Sequence, residues 1–219
     1  EKTMHFKEVE LQRTFELDAA VNYEPAPDQS IAARAKAQGR DPFDLALELM
    51  MQNDGQALLM HPFENYCAGD LEVVKEMLED PNTVCGVADA GAHVGVICDA
   101  SSPTSLLTHW GRDRTRGEKL PLEFLVRKQT HDTARTYGLL DRGVIAPGYK
   151  ADINLIDFEA LRLQRPHIVY DLPAGGRRII QKADGYRHTF VSGVEVMRGG
   201  EATGELPGQL LRGARAVPN

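Results

Sequence analysis

Two short apolar runs flanking a helix constrain this chain more than any other feature. Ala57-Leu58-Leu59-Met60-His61 reads as a buried strand stopped by Pro62, and Thr83-Val84-Cys85-Gly86-Val87-Ala88 reads as a second. Between them, Asp70 to Leu78 carries Val73, Val74, Met77 and Leu78 at helical spacing and closes at Asp80-Pro81. Strand, helix, strand in that order predicts parallel strands joined by a crossover helix, and so an α/β fold. Asp89 stands at the carboxyl end of the second run, followed by Ala90-Gly91-Ala92-His93. In parallel α/β folds, and in (β/α)₈ barrels especially, that end of the strand faces the active site. An aspartate there can ligate a metal or accept a proton from metal-bound water, and small neighbours let a ligand approach the backbone. The same spacing also suits an aspartate that caps the next turn, with His93 packed beneath it.

The rest of the chain divides by its punctuation. Pro25 and Pro27 deny helix to the loop 23–28. Ser30 or Asp28 can cap a short helix through Ile31, Ala32, Ala35 and Ala37 that stops at Gly39. Asp41-Pro42 is a sharper start, with aspartate as cap and proline at the first helical position. That helix is expected to bury Phe43, Ala46, Leu47, Met50 and Met51, the methionines serving as core filler. Leu122 to Tyr137 reads as mostly helical, with Gly138 as its stop. After Pro147-Gly148 the pattern turns to strand, at 151–157 and in a hairpin around Ser192-Gly193. Beyond Gly199 glycine and proline are dense, and the chain is expected to wrap over a surface. The expected boundary lies near Pro147, with strand–helix units in 1–147 and β structure in 148–219.

Charge and cysteine usage narrow the partners. The net charge of -7 argues against a nucleic-acid footprint. It is unevenly placed, with 7 basic and 19 acidic side chains in residues 1–100 against 18 and 13 in the remainder. That asymmetry fits two halves that face each other or face other chain. With 42% hydrophobic and 6% aromatic residues and a mean hydropathy of -0.35, the composition is that of a soluble globular protein. No run approaches the about 20 apolar residues of a membrane helix. Cys67, Cys85 and Cys98 are odd in number and widely spaced, so a disulfide scaffold is excluded and a cytoplasmic location is expected. The opening residues lack a basic stretch followed by an apolar one, and with Glu1 first the natural start is expected upstream.

The chain has no G-x-S-x-G elbow, no phosphate loop and no dinucleotide fingerprint. Its seven histidines include no His-x-His and no His-Glu-x-x-His, and its cysteines form no Cys-x-x-Cys. A complete zinc site cannot be assembled from local motifs. His61 ends a predicted strand, and Asn65 and Tyr66 follow in a loop that could touch a substrate if that strand neighbours the Asp89 strand. A satisfied strand-end histidine explains His61 equally well. His109-Trp110 beside Arg112-Asp113-Arg114 reads as a structural ion-pair cluster.

Several segments resemble N-acyl-D-amino-acid deacylases, the D-aminoacylase-like members of the amidohydrolase superfamily. They are Ala88-Asp89-Ala90-Gly91-Ala92-His93, Cys98 to Thr104, Asp141 to Asp152, Asp171 to Gly176 and Thr203 to Gly208. The resemblance implies the C-terminal part of a metal-dependent (β/α)₈ barrel together with strands of a small β-sandwich. It also implies zinc as cofactor, a small-molecule N-acyl amino acid as substrate and an N-terminal segment that supplies the missing His-x-His. Asp89 then matches the proton acceptor and metal ligand, and His93, His61, Asn65 and Tyr66 are candidate substrate contacts. No nucleic acid and no membrane is expected as a partner, and an oligomer is left open. A non-catalytic amidohydrolase-like module, or another amide or cyclic-amide hydrolase of the superfamily, are the competing readings.

Overall fold

A computed structural model describes residues 10–17, 19–86, 88 and 91–218. In chain order the main elements are β1 (Phe15–Glu16), α1 (Ile31–Gln38), α2 (Pro42–Met50), α3 (Gln52–Gly55), β2 (Leu59–Met60), α4 (Glu72–Glu79), α5 (Ser102–Thr108), α6 (Leu122–Arg127) and α7 (Thr133–Thr136). The strands that follow are β3 (Ile153–Ile156), β4 (Arg162–Leu163), β5 (His167–Leu172), β6 (Gly176–Ile180), β7 (Ala183–Asp184), β8 (Tyr186–Val191), β9 (Val194–Arg198) and β10 (Glu201–Ala202). The chain forms two compact units, Glu1–Met77 with Arg165–Ile180, and Leu78–Gln164 with Gln181–Asn219. The change from helix to strand near residue 147 falls inside the second unit. No helix among the described residues is long and apolar enough to cross a membrane.

In the first unit, local signals start and stop the helices as the sequence leads one to expect. Ser30 Oγ accepts the Ala33 N–H at 3.3 Å, and Gly39 ends α1 at φ 65°, where an L side chain is strained. Asp41 caps α2 by accepting from Phe43 and Asp44. The two helices pack through Ile31, Ala35, Leu45, Ala46 and Leu49, with Leu11 closing the cluster. Of the face expected to be buried on α2, only Ala46 is. Phe43 is 63% exposed and Met51 65%, and Leu47 and Met50 also face out. Because α2 is apolar nearly all round, its own pattern cannot choose a face. Packing on α1 chooses Leu45 and Leu49, one turn apart, with Ala46 small enough for close approach.

The expected parallel pairing is absent from the described residues. Segment 57–61 contributes only β2, which pairs antiparallel with β1 and is half-buried. Residues 83–86 are irregular, and every named strand pair is antiparallel. A strand buried on both faces needs a ladder partner on each side, and the described chain offers segment 83–86 none.

The second unit matches its sequence signals more closely. Leu122–Thr136 is continuously helical, with a π-helical stretch at Lys128–Asp132, and Gly138 stops it at φ 69°. Buried Leu107, Trp110, Leu120, Leu125 and Leu161 form its apolar interior. The Arg114 guanidinium stacks on Trp110 at 4.6 Å, and Arg112 donates to the Leu161 carbonyl at 2.7 Å, a structural use of this cluster. A four-stranded sheet runs in the order β10-β9-β8-β3, with Ser192 and Gly193 both at positive φ in the tight turn between β8 and β9. Past β10 the chain is mostly exposed until Arg215, whose N–H donates to Gly138 at 2.8 Å and whose carbonyl accepts from Leu140 at 3.1 Å.

Candidate functional site

Asp89, with Val87 and Ala90, lies outside the described residues, but the chain on both sides of it is placed. On the entering side, the nearly buried Lys128 reaches from the π-helical stretch. Its Nζ donates to the Asp80 carbonyl at 2.9 Å and to Thr83 Oγ1 at 3.1 Å, fixing the start of the segment. Sequence reasoning missed this lysine. It follows an ordinary helical surface pattern, and only the neighbouring Phe124, whose ring lies 5.8 Å from the ammonium, hints that it turns inward. Burial pushes the Cys85 thiol up, with Lys128 partly opposing the shift.

On the leaving side, Gly91 and His93 both take positive φ, at 95° and 49°. The His93 carbonyl accepts from Val96 at 2.8 Å and Ile97 at 3.1 Å, closing a turn that leaves its imidazole exposed. Burial, seconded by Asp99, likewise pushes Cys98 up.

His61, Asn65 and Tyr66 belong to the first unit, while His93 belongs to the second. His61 follows β2 directly, and its Nδ1 lies 3.0 Å from Thr14 Oγ1. Because that hydroxyl donates its proton to the Glu10 carbonyl at 3.1 Å, the ring donates from Nδ1. Burial first and Arg13 second hold the His61 pKa below its ordinary value, favouring the neutral ring. Asn65 is exposed in the left-handed region at φ 59°, which asparagine tolerates. Tyr66 is 2% exposed, its ring edge-on to Phe15 at 6.1 Å and its hydroxyl donating to the Pro25 carbonyl. It braces the loop from beneath and presents no surface to a ligand.

Among the described residues, no three His, Cys, Asp or Glu side chains form a group able to hold a metal ion. The donor set described here therefore does not fit a catalytic metal by itself.

Among the described residues, the strongest carboxylate perturbation lies elsewhere, on the β8–β9 hairpin. Glu195 accepts from Arg198 Nε at 3.1 Å on each oxygen, and its Oε1 lies 2.5 Å from His188 Nδ1. Arg198 first and His188 second hold its carboxyl down to about 2. Its folded pKa lies below the unfolded 4.5, so its contribution to stability is present above that value and is lost as the pH falls toward about 2. Glu195→Gln should therefore lower the melting temperature at pH 7 and leave it unchanged near pH 2. Equal losses in melts at both pH values would contradict the ion-pair origin.

The sequence model of the Amidohydrolase family matches residues 4–197, and the chain belongs to that family. The N-acyl-D-aspartate deacylase of Alcaligenes xylosoxydans xylosoxydans is 29% identical over 175 residues, covering 67% of this chain and 33% of that protein. A 5-methylthioadenosine/S-adenosylhomocysteine deaminase of Desulfitobacterium hafniense is 36% identical over 104 residues, covering 41% of this chain and 24% of that protein. A crystal structure of D-aminoacylase aligns with TM-score 0.46 and 24% identity, covering 88% of this chain and 36% of that one. Another D-aminoacylase structure, described as having a binuclear metal centre, aligns equally well. The chain thus spans about a third or less of the length of these relatives.

Proposed function

We propose that this chain is the C-terminal portion of an amidohydrolase that cleaves the amide of N-acyl-D-amino acids. The observation that carries the reading is the family match over residues 4–197, sharpened by the 29% identity with an N-acyl-D-aspartate deacylase across 175 residues. In this reading the Asp89 carboxylate takes the proton of the attacking water and returns it to the departing amine. His93, exposed on the turn after it, orients Asp89 or a substrate oxygen. His61 and Asn65 contact the substrate, with Tyr66 holding their loop. The part-barrel and sandwich architecture and the division at 147 belong to the same proposal.

Zinc is the proposed cofactor of the whole enzyme, with Asp89 among its ligands. The remaining ligands are assigned to an N-terminal segment of the same enzyme, an assignment supported by the chain's cover of 33% of the related deacylase. A cytoplasmic setting is supported by the three cysteines, all free.

A second reading, a deaminating C–N hydrolase, is favoured by the 36% identity over 104 residues with the nucleoside deaminase. The two separate in one assay of the intact protein. Amine release from N-acetyl-D-aspartate, exceeding that from the L-isomer, is the expected result. Ammonia release from 5-methylthioadenosine with no amide cleavage would establish the second reading instead. No turnover of either substrate by the metal-loaded protein would leave a non-catalytic module.

His93→Ala in the same protein should lower kcat while bound zinc stays stoichiometric, as expected of a residue that positions another group. Loss of one metal equivalent in elemental analysis would instead make His93 a ligand.

A further inference from the structure

We infer that Arg13 and Thr14 are positioning residues that present His61 to a substrate as a hydrogen-bond acceptor, with the ring proton on Nδ1 and Nε2 bare. The inference rests on the amide-hydrolysis reading for its substrate, whose amide N–H is the donor that Nε2 would take.

Strand register brings the three residues together. Phe15 of β1 pairs with Met60 of β2, so Thr14 and Arg13 continue the antiparallel line opposite His61 and Pro62. Pro62 has no N–H with which to extend the ladder, and side chains take it over. The Arg13 guanidinium donates from Nη2 to the Pro62 carbonyl at 3.0 Å and to the Phe63 carbonyl at 3.3 Å. Its Nε is buried with no hydrogen-bond partner among the described residues, a cost that those two bonds offset in part.

Thr14 is itself fixed. It is 2% exposed, and its carbonyl accepts from the Ile31 N–H at 2.9 Å. Its hydroxyl proton is committed to the Glu10 carbonyl, which leaves only a lone pair to meet His61 Nδ1 at 3.0 Å. The ring therefore carries its proton on Nδ1, and in the neutral ring Nε2 is the acceptor. Phe63 stands edge-on to the imidazole at 5.9 Å and limits its rotation. Nε2 has no protein partner among the described residues. Burial and then Arg13 disfavour a second proton on the ring, and Glu10 opposes them more weakly. A bare Nε2 accepts from an N–H and offers nothing to a carbonyl or carboxylate oxygen. Of the polar groups around an N-acyl amino acid's scissile bond, that selects the amide nitrogen.

The test follows the His61 ring nitrogens of the full-length protein by NMR across a pH titration. At pH 7 the wild-type ring should be neutral, with Nδ1 protonated and Nε2 not. Thr14→Val removes the acceptor at nearly constant volume and should move the proton to Nε2, while Thr14→Ser should keep it on Nδ1. Arg13→Gln should raise the His61 pKa, and Arg13→Lys should leave it low. With N-acetyl-D-aspartate, Thr14→Val should raise KM about three- to tenfold, the worth of one neutral hydrogen bond, and change kcat less. An Nε2-protonated wild-type ring, or an unmoved proton in Thr14→Val, would overturn the positioning by Thr14. An unchanged ring pKa in Arg13→Gln would overturn the part given to Arg13. A moved proton with unchanged KM would overturn the acceptor role. No turnover by the wild-type protein, with the ring protonated as expected, would overturn the amide-hydrolysis reading and the acceptor role while the positioning stands.

Discussion

Replacing Asp89 with asparagine in the intact enzyme is expected to lower kcat by about 10² to 10⁴, the usual worth of a positioned general acid–base group. The substitution keeps size and hydrogen-bonding reach but removes the group that can hold a proton between water and leaving amine. KM should change far less than kcat, as expected of a proton-transferring group that acts on the reacting atoms in the transition state. A capping aspartate would behave differently, since asparagine is an equally good cap. Near wild-type kcat with unchanged stability would assign Asp89 to the turn and remove it from the chemistry.

Gly185→Ala should be the most damaging substitution for the fold of the second unit. Gly185 joins β7 to β8 at φ +102°, and its carbonyl accepts from Asp157 at 2.8 Å. A Cβ at this position would lie 2.6 Å from the Leu161 Cα, 2.8 Å from its nitrogen and 3.0 Å from the Asp157 oxygen. All three are backbone atoms, so no rotamer change relieves the clash, and Leu161 is fully buried. Positive φ costs an L residue about 1–2 kcal/mol, and overpacking adds about 1–3 kcal/mol. A loss of about 3 kcal/mol or more in urea unfolding is therefore expected. Gly199→Ala is the control. Its φ is +57° with nothing within 4 Å, so it should lose about 1–2 kcal/mol at most. Equal losses in the two variants would show that close approach is not what position 185 requires.

What was legible in the sequence was mainly local. Ser30, Gly39, Asp41 and Gly138 mark helix ends through hydrogen bonds and backbone freedom that involve only their neighbours, and each does so here. The Ser192-Gly193 turn fixes its hairpin for the same reason. Choices that depend on distant chain were not legible. The pattern of α2 left its buried face open until α1 covered Leu45 and Leu49. The β-branched run at 83–88 looks like a strand, yet strand formation requires a neighbour that the run cannot specify.

The candidate site divides along the same line. The Asp89 segment was conspicuous because acid, small residues and histidine lie within five positions. Lys128, which anchors the entry to that segment, lies some forty residues further along the chain and carried no local signal. Sequence makes Tyr66 a candidate substrate contact because its loop follows the predicted strand that ends at His61. Its burial against Phe15 and Pro25 arises from contacts 40 or more positions away.

The central claim is that these residues contribute a proton-transferring carboxylate to an amidohydrolase whose remaining metal ligands lie elsewhere in the enzyme. The most direct measurement purifies residues 1–219 alone, adds zinc, and follows both bound metal and amine release from N-acetyl-D-amino acids. The account predicts no stoichiometric zinc and no turnover from this segment, with both restored when the N-terminal segment is supplied. Metal-dependent turnover by residues 1–219 alone would contradict it, because a full ligand set would then have to come from the seven histidines and the acids of this chain.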